Sequence, residues 1–182
     1  MSEPVLVVID MQQVFGNPAS EWFTPRFSEA EAVIASMVPA FGKRVVFTRF
    51  VAPERPVGAW VPYYEQWPFA LVPADDPIYD LVLAFRDTGH PVVTEPRFGK
   101  WGPELQEALG GADEIVLAGV STDCCVLSTA LAAADAGVRV RVAADACAGL
   151  TDADHQRALD AMALYAPLIQ ITDSAAAVAA LG

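Results

Sequence analysis

The stretch EIVLAGVSTDCCVLSTALAAADAGVRVRVAA, residues 114–144, contains an apolar run, a run of small residues and a second apolar run. The two apolar runs, residues 114–120 and 138–144, have the length and composition of β-strands. Thr122 or Asp123 can cap a helix between them, because short polar side chains accept hydrogen bonds from free N–H groups at a helix start. A strand, a helix and a second strand in this order predict a parallel pair joined by a crossover helix.

The same alternation continues on both sides of this unit. Four more apolar runs are bounded by polar or turn residues and predict strands at residues 5–9, 44–50, 91–94 and 168–172. The sequence therefore predicts the α/β class, with a six-stranded parallel sheet between two helical layers. No repeat, low-complexity tract or linker divides the chain, so residues 1–182 are expected to form a single domain.

Start signals precede several of the predicted helices. Ser28 and Glu31 have the spacing of a capping box, and Thr151 and Asp154 repeat that spacing later in the chain. A further short helix is predicted over residues 77–86. These signals indicate where the helices that cover the sheet begin.

Composition limits the classes of partner. The chain is 54% hydrophobic, yet no window approaches the roughly 18 uninterrupted apolar residues of a membrane span. A formal net charge of -12 disfavours binding to nucleic acid and to anionic membranes. Three cysteines and no signal-peptide pattern favour a cytoplasmic protein with free thiols. We expect a small-molecule substrate and a homo-oligomer, dimeric or higher, because the apolar excess must enter a core or an interface.

Three places in the sequence follow the carboxyl ends of predicted strands, where ligands bind in open α/β sheets. They are Asp10, Glu95 and the segment after Val120. Asp10 alone could simply cap a turn. Cys124 and Cys125 lie near a predicted helix start, where free N–H groups favour a thiolate and lower its pKa. Position alone does not choose between the two sulfurs, and most cysteines are small buried hydrophobes.

The motif GVSTDCCV resembles the nucleophile motif of the isochorismatase-like cysteine hydrolases, G-V-x-T-D-x-C-V. VLVVIDMQ resembles the first strand of that family with its catalytic Asp, and AADAGVRVRVAADACAG resembles the stretch that follows its cysteine. The resemblance implies a Rossmann-like fold in which Cys125 is the nucleophile and Asp10 the catalytic aspartate. It also implies a cis peptide between Val120 and Ser121 that helps to form an oxyanion hole with Cys125.

The chain departs from the family pattern at the third catalytic residue, which is a lysine just after the third strand. In EPRFGKW that position is occupied by Glu95, and Lys100 lies five residues later. A long lysine side chain on a glycine-preceded loop can still return its ammonium to the same place. We favour Lys100 because a cation lowers the pKa of a thiol whereas neighbouring carboxylates raise it. The alternative, that Glu95 replaces the family's lysine at this position, stays open.

The segment GAWVPYYEQWPFAL, residues 58–71, concentrates aromatic side chains after the second strand. Such a loop can line a pocket, close a subunit interface or pack into the core. The pocket candidates are Gln12, Phe15, Trp60, Tyr64, Trp67, Phe98 and Trp101. No metal and no cofactor are expected, because His90 and His155 belong to no ligand-spaced cluster and are expected to be solvated.

The leading interpretation is a cysteine hydrolase that cleaves a C–N bond of a small amide or ureido compound through an acyl-enzyme. A second interpretation is a thiol redox or sensor protein that uses Cys124 and Cys125. It is weaker because adjacent cysteines form a strained disulfide. A third is a non-catalytic relative that keeps the fold and binds ligands in its pocket.

Overall fold

The computed structural model describes residues 3–181, and the predicted strands lie within them. The strands are β1 Val5–Ile9, β2 Val45–Phe50, β3 Val92–Glu95, β4 Glu114–Val120, β5 Arg139–Ala148 and β6 Ile169–Thr172. They form one six-stranded sheet in the order β3-β2-β1-β4-β5-β6, and every neighbouring pair is parallel. The predicted α/β class with a parallel sheet is confirmed.

Helices cover both faces of the sheet. They are α1 Gln13–Gly16, α2 Phe27–Phe41, α3 Trp60–Gln66, α4 Pro103–Ala108, α5 Leu127–Asp135, α6 Asp152–Ala163 and α7 Ser174–Ala179. Buried residues of α4, α5 and α6 pack with one face of the sheet, and those of α2 and α7 pack with the other. The three-layer α/β/α architecture follows from this division.

The central strands explain the near-continuous apolar runs of the sequence. Val7 and Ile9 of β1 enter one core and Leu6 and Val8 enter the other, and all four are fully buried. A strand with helices on both faces must be apolar at every position. Many of the apolar residues therefore lie in the two cores. Among the described residues, no helix is both long and apolar enough to cross a membrane.

The strand order reverses between β1 and β4, so the crevice expected at such a switch point lies beyond Ile9 and Val120. Gly119 makes the close approach of these strand ends possible. Its φ is +116°, and a Cβ there would lie 2.1 Å from the carbonyl oxygen of Ile9. Only glycine therefore fits without displacing the end of β1.

The predicted capping box at Ser28 and Glu31 is wrong. Helix α2 begins one residue before Ser28, at Phe27, and its N-cap Arg26 makes no side-chain capping hydrogen bond. The Arg26 guanidinium instead pairs with Glu29 at 2.6 Å in the first turn. An acidic side chain near the helix start is favourable by itself, because the helix dipole is positive there.

The other start signals had mixed outcomes. Thr151 accepts a hydrogen bond from the Asp154 N–H and caps α6 as predicted. Neither Thr122 nor Asp123 is an N-cap, because a π-helical turn over Thr122–Val126 precedes α5 and begins after Ser121. The predicted helix over residues 77–86 is reduced to a 3-10 turn at Pro77–Tyr79 followed by irregular chain.

Candidate active site

Asp10 lies directly after β1 with no exposed surface and a left-handed backbone conformation, φ 50°. The Thr48 hydroxyl donates to Oδ1 of Asp10 at 2.7 Å, and Nζ of Lys100 lies 2.9 Å from Oδ2. Within residues 3–181, Oδ2 accepts no hydrogen bond beyond that ion pair. A buried carboxylate with a paired charge and a free lone pair can take up a proton from a neighbouring group.

Lys100 is also fully buried, and its side chain returns toward β3. Its ammonium donates to the carbonyl oxygen of Arg97 at 2.7 Å and lies 5.5 Å from the centroid of the Phe50 ring. The structure thus places Lys100 beside Asp10, although Lys100 comes five residues after Glu95 in the chain. The Glu95 carboxylate pairs with the guanidinium of Arg97 at 3.1 Å instead.

Cys125 lies in the π-helical turn after β4 and is 6% exposed. Burial raises the pKa of its thiol well above the ordinary value, and the Asp10 carboxylate raises it further. The Lys100 ammonium and a backbone hydrogen bond from Ser121 act in the opposite direction without offsetting burial. The depressed thiol pKa expected near a helix start is therefore wrong for Cys125, because desolvation of a thiolate outweighs these favourable contacts. The peptide bond between Val120 and Ser121 is cis.

Thr129 of α5 connects Lys100 to the π-helical turn that carries Cys125. Its hydroxyl donates to the carbonyl oxygen of Cys125 at 2.7 Å and accepts from the backbone N–H of Lys100 at 3.0 Å. Thr129 has no exposed surface. The sequence analysis missed this residue, since a threonine one turn into a helix carries no signal of a tertiary hydrogen bond.

We call Asp10, Thr48, Lys100 and Cys125 the charged floor.

A cavity of about 310 Å³ opens above Cys125 and Ser121. Four of the predicted pocket residues line it: Phe15, Trp60, Trp67 and Phe98. They come from α1, from α3 and the residue that follows it, and from the loop after β3. The aromatic segment over residues 58–71 therefore contributes to the pocket, whereas its expected role in a subunit interface stays a prediction.

Three predicted pocket residues do not line this cavity. The Gln12 side-chain amide is fully buried and is bound to the backbone of Phe50 and Tyr79, so it joins two chain segments. Tyr64 is 2% exposed, belongs to an aromatic core cluster and does not line the cavity. Trp101 packs against the core beside α4 and α5. Residue type alone could not indicate these orientations.

The sequence analysis missed Trp22, which lies between α1 and α2 and lines the cavity. Its ring centroid is 5.0 Å from that of Phe69 and 5.6 Å from that of Phe50. Tyr63 also lines the cavity, and burial raises the pKa of its hydroxyl to about 12, with the two neighbouring cysteines contributing. We call Trp22, Trp60, Tyr63, Trp67 and Phe98 the aromatic wall.

His155 is partly buried, contrary to the solvated position expected for it. Its Nδ1 lies 2.8 Å from the hydroxyl of Thr122, and burial lowers the pKa of its imidazole. The contact joins α6 to the π-helical turn over Thr122–Val126. Within residues 3–181 no group of three His, Cys, Asp or Glu side chains is arranged to hold a metal ion.

Comparison with solved structures establishes the fold independently. The cysteine hydrolase from Pseudomonas syringae pv. phaseolicola 1448A superposes with a TM-score of 0.87 over 98% of this chain and 92% of its own, at 18% identity. N-carbamoylsarcosine amidase from Thermoplasma acidophilum superposes with a TM-score of 0.74 over 95% of this chain and 97% of its own, at 21% identity. At these sequence identities the superpositions show a shared fold and nothing about function.

Sequence comparison gives the family. Isochorismatase domain-containing protein 2 from Xenopus laevis is 39% identical over 72 residues, which are 38% of this chain and about a third, 35%, of that relative. The sequence model of the Isochorismatase domain matches residues 4–175. The chain therefore belongs to the Isochorismatase domain family.

Proposed function

We propose that the chain is a cysteine hydrolase that cleaves a C–N bond of a small amide or ureido compound through an acyl-enzyme on Cys125. The observation that carries this proposal is the fully buried Asp10–Lys100 ion pair, with 2.9 Å between Nζ and Oδ2. It lies close enough to Cys125 for both charges to act on the pKa of the thiol. A general base and a cation beside a cysteine are the parts that activate a thiol nucleophile.

The first step transfers the proton of the Cys125 thiol to Oδ2 of Asp10. Burial raises the pKa of the thiol, so formation of the thiolate needs a base, and Asp10 accepts the proton. The transfer exchanges a carboxylate–ammonium pair for a thiolate–ammonium pair, because Lys100 stays charged. The buried site therefore never holds an uncompensated charge, whose desolvation would cost several kcal/mol.

The thiolate then attacks the substrate carbonyl carbon and places negative charge on the carbonyl oxygen. Backbone N–H groups of Ser121 and Cys125 would donate to this oxyanion, an effect of about 3–4 kcal/mol per donor in the transition state. Protonated Asp10 gives its proton to the leaving nitrogen as the C–N bond breaks. The products of this half-reaction are an amine or ammonia and a thioester on Cys125.

Water completes the cycle. Asp10, again a carboxylate, takes a proton from water that attacks the thioester, and the proton passes to the departing sulfur. The acid leaves and the thiol is restored. Amidase chemistry in a relative of the same fold, the Thermoplasma acidophilum enzyme, supports this reaction class.

The three cysteines are free thiols, which suits a reducing compartment. Cytoplasmic location and homo-oligomer formation stay predictions. Among the described residues, Leu164, Tyr165 and Leu168 are exposed hydrophobic side chains near the end of α6 and the start of β6, and they are candidates for a subunit contact.

Ammonia release from a panel of primary amides and ureido compounds tests the proposal. We expect wild type to hydrolyse at least one member, and Cys125→Ala to lower kcat by at least about 10⁴-fold, as loss of a nucleophile does. Cys124→Ala is the matched control and should stay within about fivefold of wild type, since its sulfur forms no bond in the proposed reaction. Inactivation by Cys124→Ala with retained turnover in Cys125→Ala would refute the assignment. Reversible peroxide oxidation without any hydrolysis would favour the redox interpretation.

A further inference from the structure

The cavity above Cys125 has a charge pattern that the chemistry of hydrolysis does not require. Seven of its lining side chains are aromatic and two, Glu21 and Asp123, are carboxylates. Among the residues that the structure describes, no lysine, arginine or histidine lines it. A ligand in this cavity therefore meets ring faces and negative charge.

The aromatic rings form a connected surface around this space. The Trp60 ring centroid lies 5.3 Å from that of Tyr63 and 5.5 Å from that of Phe98. The ring centroids of Trp22 and Trp67 are 6.2 Å apart, so these two rings extend the same surface. Aromatic faces attract cations through the ring quadrupole, and they repel anions for the same reason.

Lys100 and Arg97, two cations of the loop after β3, are already paired. Lys100 is buried beneath the cavity, where its ammonium contacts Asp10 and the carbonyl oxygen of Arg97. The Arg97 guanidinium pairs with Glu95 and does not line the cavity. A carboxylate on a substrate would lose its hydration here without gaining a positively charged partner.

The two carboxylates differ in exposure, and Asp123 is the half-buried one. Glu21 is exposed. Asp123 is held in place because its Oδ1 accepts a hydrogen bond from the Leu150 N–H at 3.2 Å. Aromatic faces with carboxylates at their border are the combination that binds organic ammonium groups.

We propose that this cavity selects amide or ureido substrates that carry an ammonium group and rejects those that carry a carboxylate. The proposal rests on the proposed function for the reaction and adds the class of substrate. The negative charge of Glu21 and Asp123 would also favour release of the acid product, whose carboxylate they repel.

Three amides with the same four-methylene spacer test the selection. They are 5-aminopentanamide, hexanamide and the monoamide of adipic acid, which end in an ammonium, a methyl and a carboxylate. We expect kcat/KM for the ammonium compound to exceed that of hexanamide by about tenfold, and the carboxylate compound to be slower than hexanamide by at least about tenfold. Burial of apolar surface alone would favour hexanamide, so equal or higher kcat/KM for hexanamide would overturn the proposal.

Two variants that each remove one negative charge test whether Glu21 contributes to the preference for ammonium substrates. Glu21→Gln should lower the ratio of kcat/KM for 5-aminopentanamide over hexanamide by about threefold to tenfold. Glu65→Gln removes the same charge from an exposed position on α3 that does not line the cavity, and the ratio should stay unchanged. Equal ratios in both variants would contradict a role for Glu21, because only the net charge would then matter.

Binding to the inactive Cys125→Ala variant separates the substrate class from the reaction. Tryptophan fluorescence is titrated with pentylammonium and with hexanoate at constant ionic strength, since three tryptophans line the cavity. We expect pentylammonium to bind at least about tenfold more tightly. If this holds while wild type hydrolyses no amide, the proposed function fails and the selection stands. If wild type hydrolyses amides without preference and hexanoate binds as tightly, the selection fails and the reaction stands.

Discussion

The charged floor and the aromatic wall are built in different ways. The floor residues Asp10 and Cys125 follow the buried strands β1 and β4, and Lys100 and Thr48 complete it with an ion pair and a hydrogen bond. The wall is carried by the segment before α2, by α3 and by the loop after β3. Polar contacts of defined geometry hold the floor, whereas ring packing holds the wall.

The difference separates the reaction from its selectivity. A buried ion pair tolerates little change, because removal of one partner leaves the other charged and desolvated. Ring packing tolerates exchange of one apolar side chain for another at modest cost. The floor should therefore determine whether bonds are cleaved, and the wall should determine which molecules are accepted.

Asp10→Asn should have the largest effect of the floor and wall variants considered below. We expect kcat to fall by about 10³-fold, because the proposed general base is lost, and stability to fall by roughly 3–5 kcal/mol, because Lys100 stays buried without a counterion. The same change should lower the pKa of the Cys125 thiol, since Asp10 raises it. Faster alkylation by iodoacetamide at neutral pH, together with slower turnover, would distinguish a base from a purely structural residue.

Lys100→Met should have the second-largest effect. We expect kcat to be lower by about 10²-fold and the pH profile of Cys125 alkylation to move to higher pH. Glu95→Gln is the matched control, because its carboxylate pairs with Arg97 and not with Lys100. Its thiol profile and its kcat should stay close to those of wild type. An unchanged profile in Lys100→Met would contradict the assignment of Lys100 as the working cation.

Trp22→Leu tests the wall and should raise KM by about tenfold with a smaller change in kcat, because substrate contacts are lost while the floor is kept. Trp101→Leu is the control, since Trp101 packs outside the cavity. Both variants are compared by steady-state kinetics on the best amide and by urea unfolding. A fall in kcat without a rise in KM for Trp22→Leu would assign this ring to the chemical step.

The smallest expected effect concerns the buried Cys147 thiol at the end of β5. Burial raises its pKa from 9.0 to about 12. Between these values the folded state keeps a proton that the unfolded state has lost, so the free energy of unfolding falls as pH rises. Cys147→Ala should reduce that slope by up to about 1.4 kcal/mol per pH unit, measured by urea unfolding from pH 8 to pH 11. Equal slopes in the two proteins would show that Cys147 titrates normally.

Much of the floor could be predicted from the sequence, because strand ends and the cysteine motif fix positions along the chain. Apolar runs located β1 and β4, and the motif match selected Cys125 over Cys124. The place of Lys100 required the loop after β3 to turn back, which only tertiary contacts determine. Trp22 escaped prediction because nothing in its local sequence indicates that the segment before α2 folds over the carboxyl ends of the strands. The pKa of Cys125 escaped prediction because burial depends on all surrounding elements.

The central claim is that Cys125 forms a covalent acyl-enzyme. Wild type mixed with its best amide should be quenched in acid during turnover, digested and analysed by fragment mass spectrometry. We predict a mass increase equal to the acyl group on Cys125, absent from Cys125→Ala and present at higher occupancy when release of the acid is slow. Turnover with an acyl group on Cys124, or with no acyl group on either sulfur, would contradict the account.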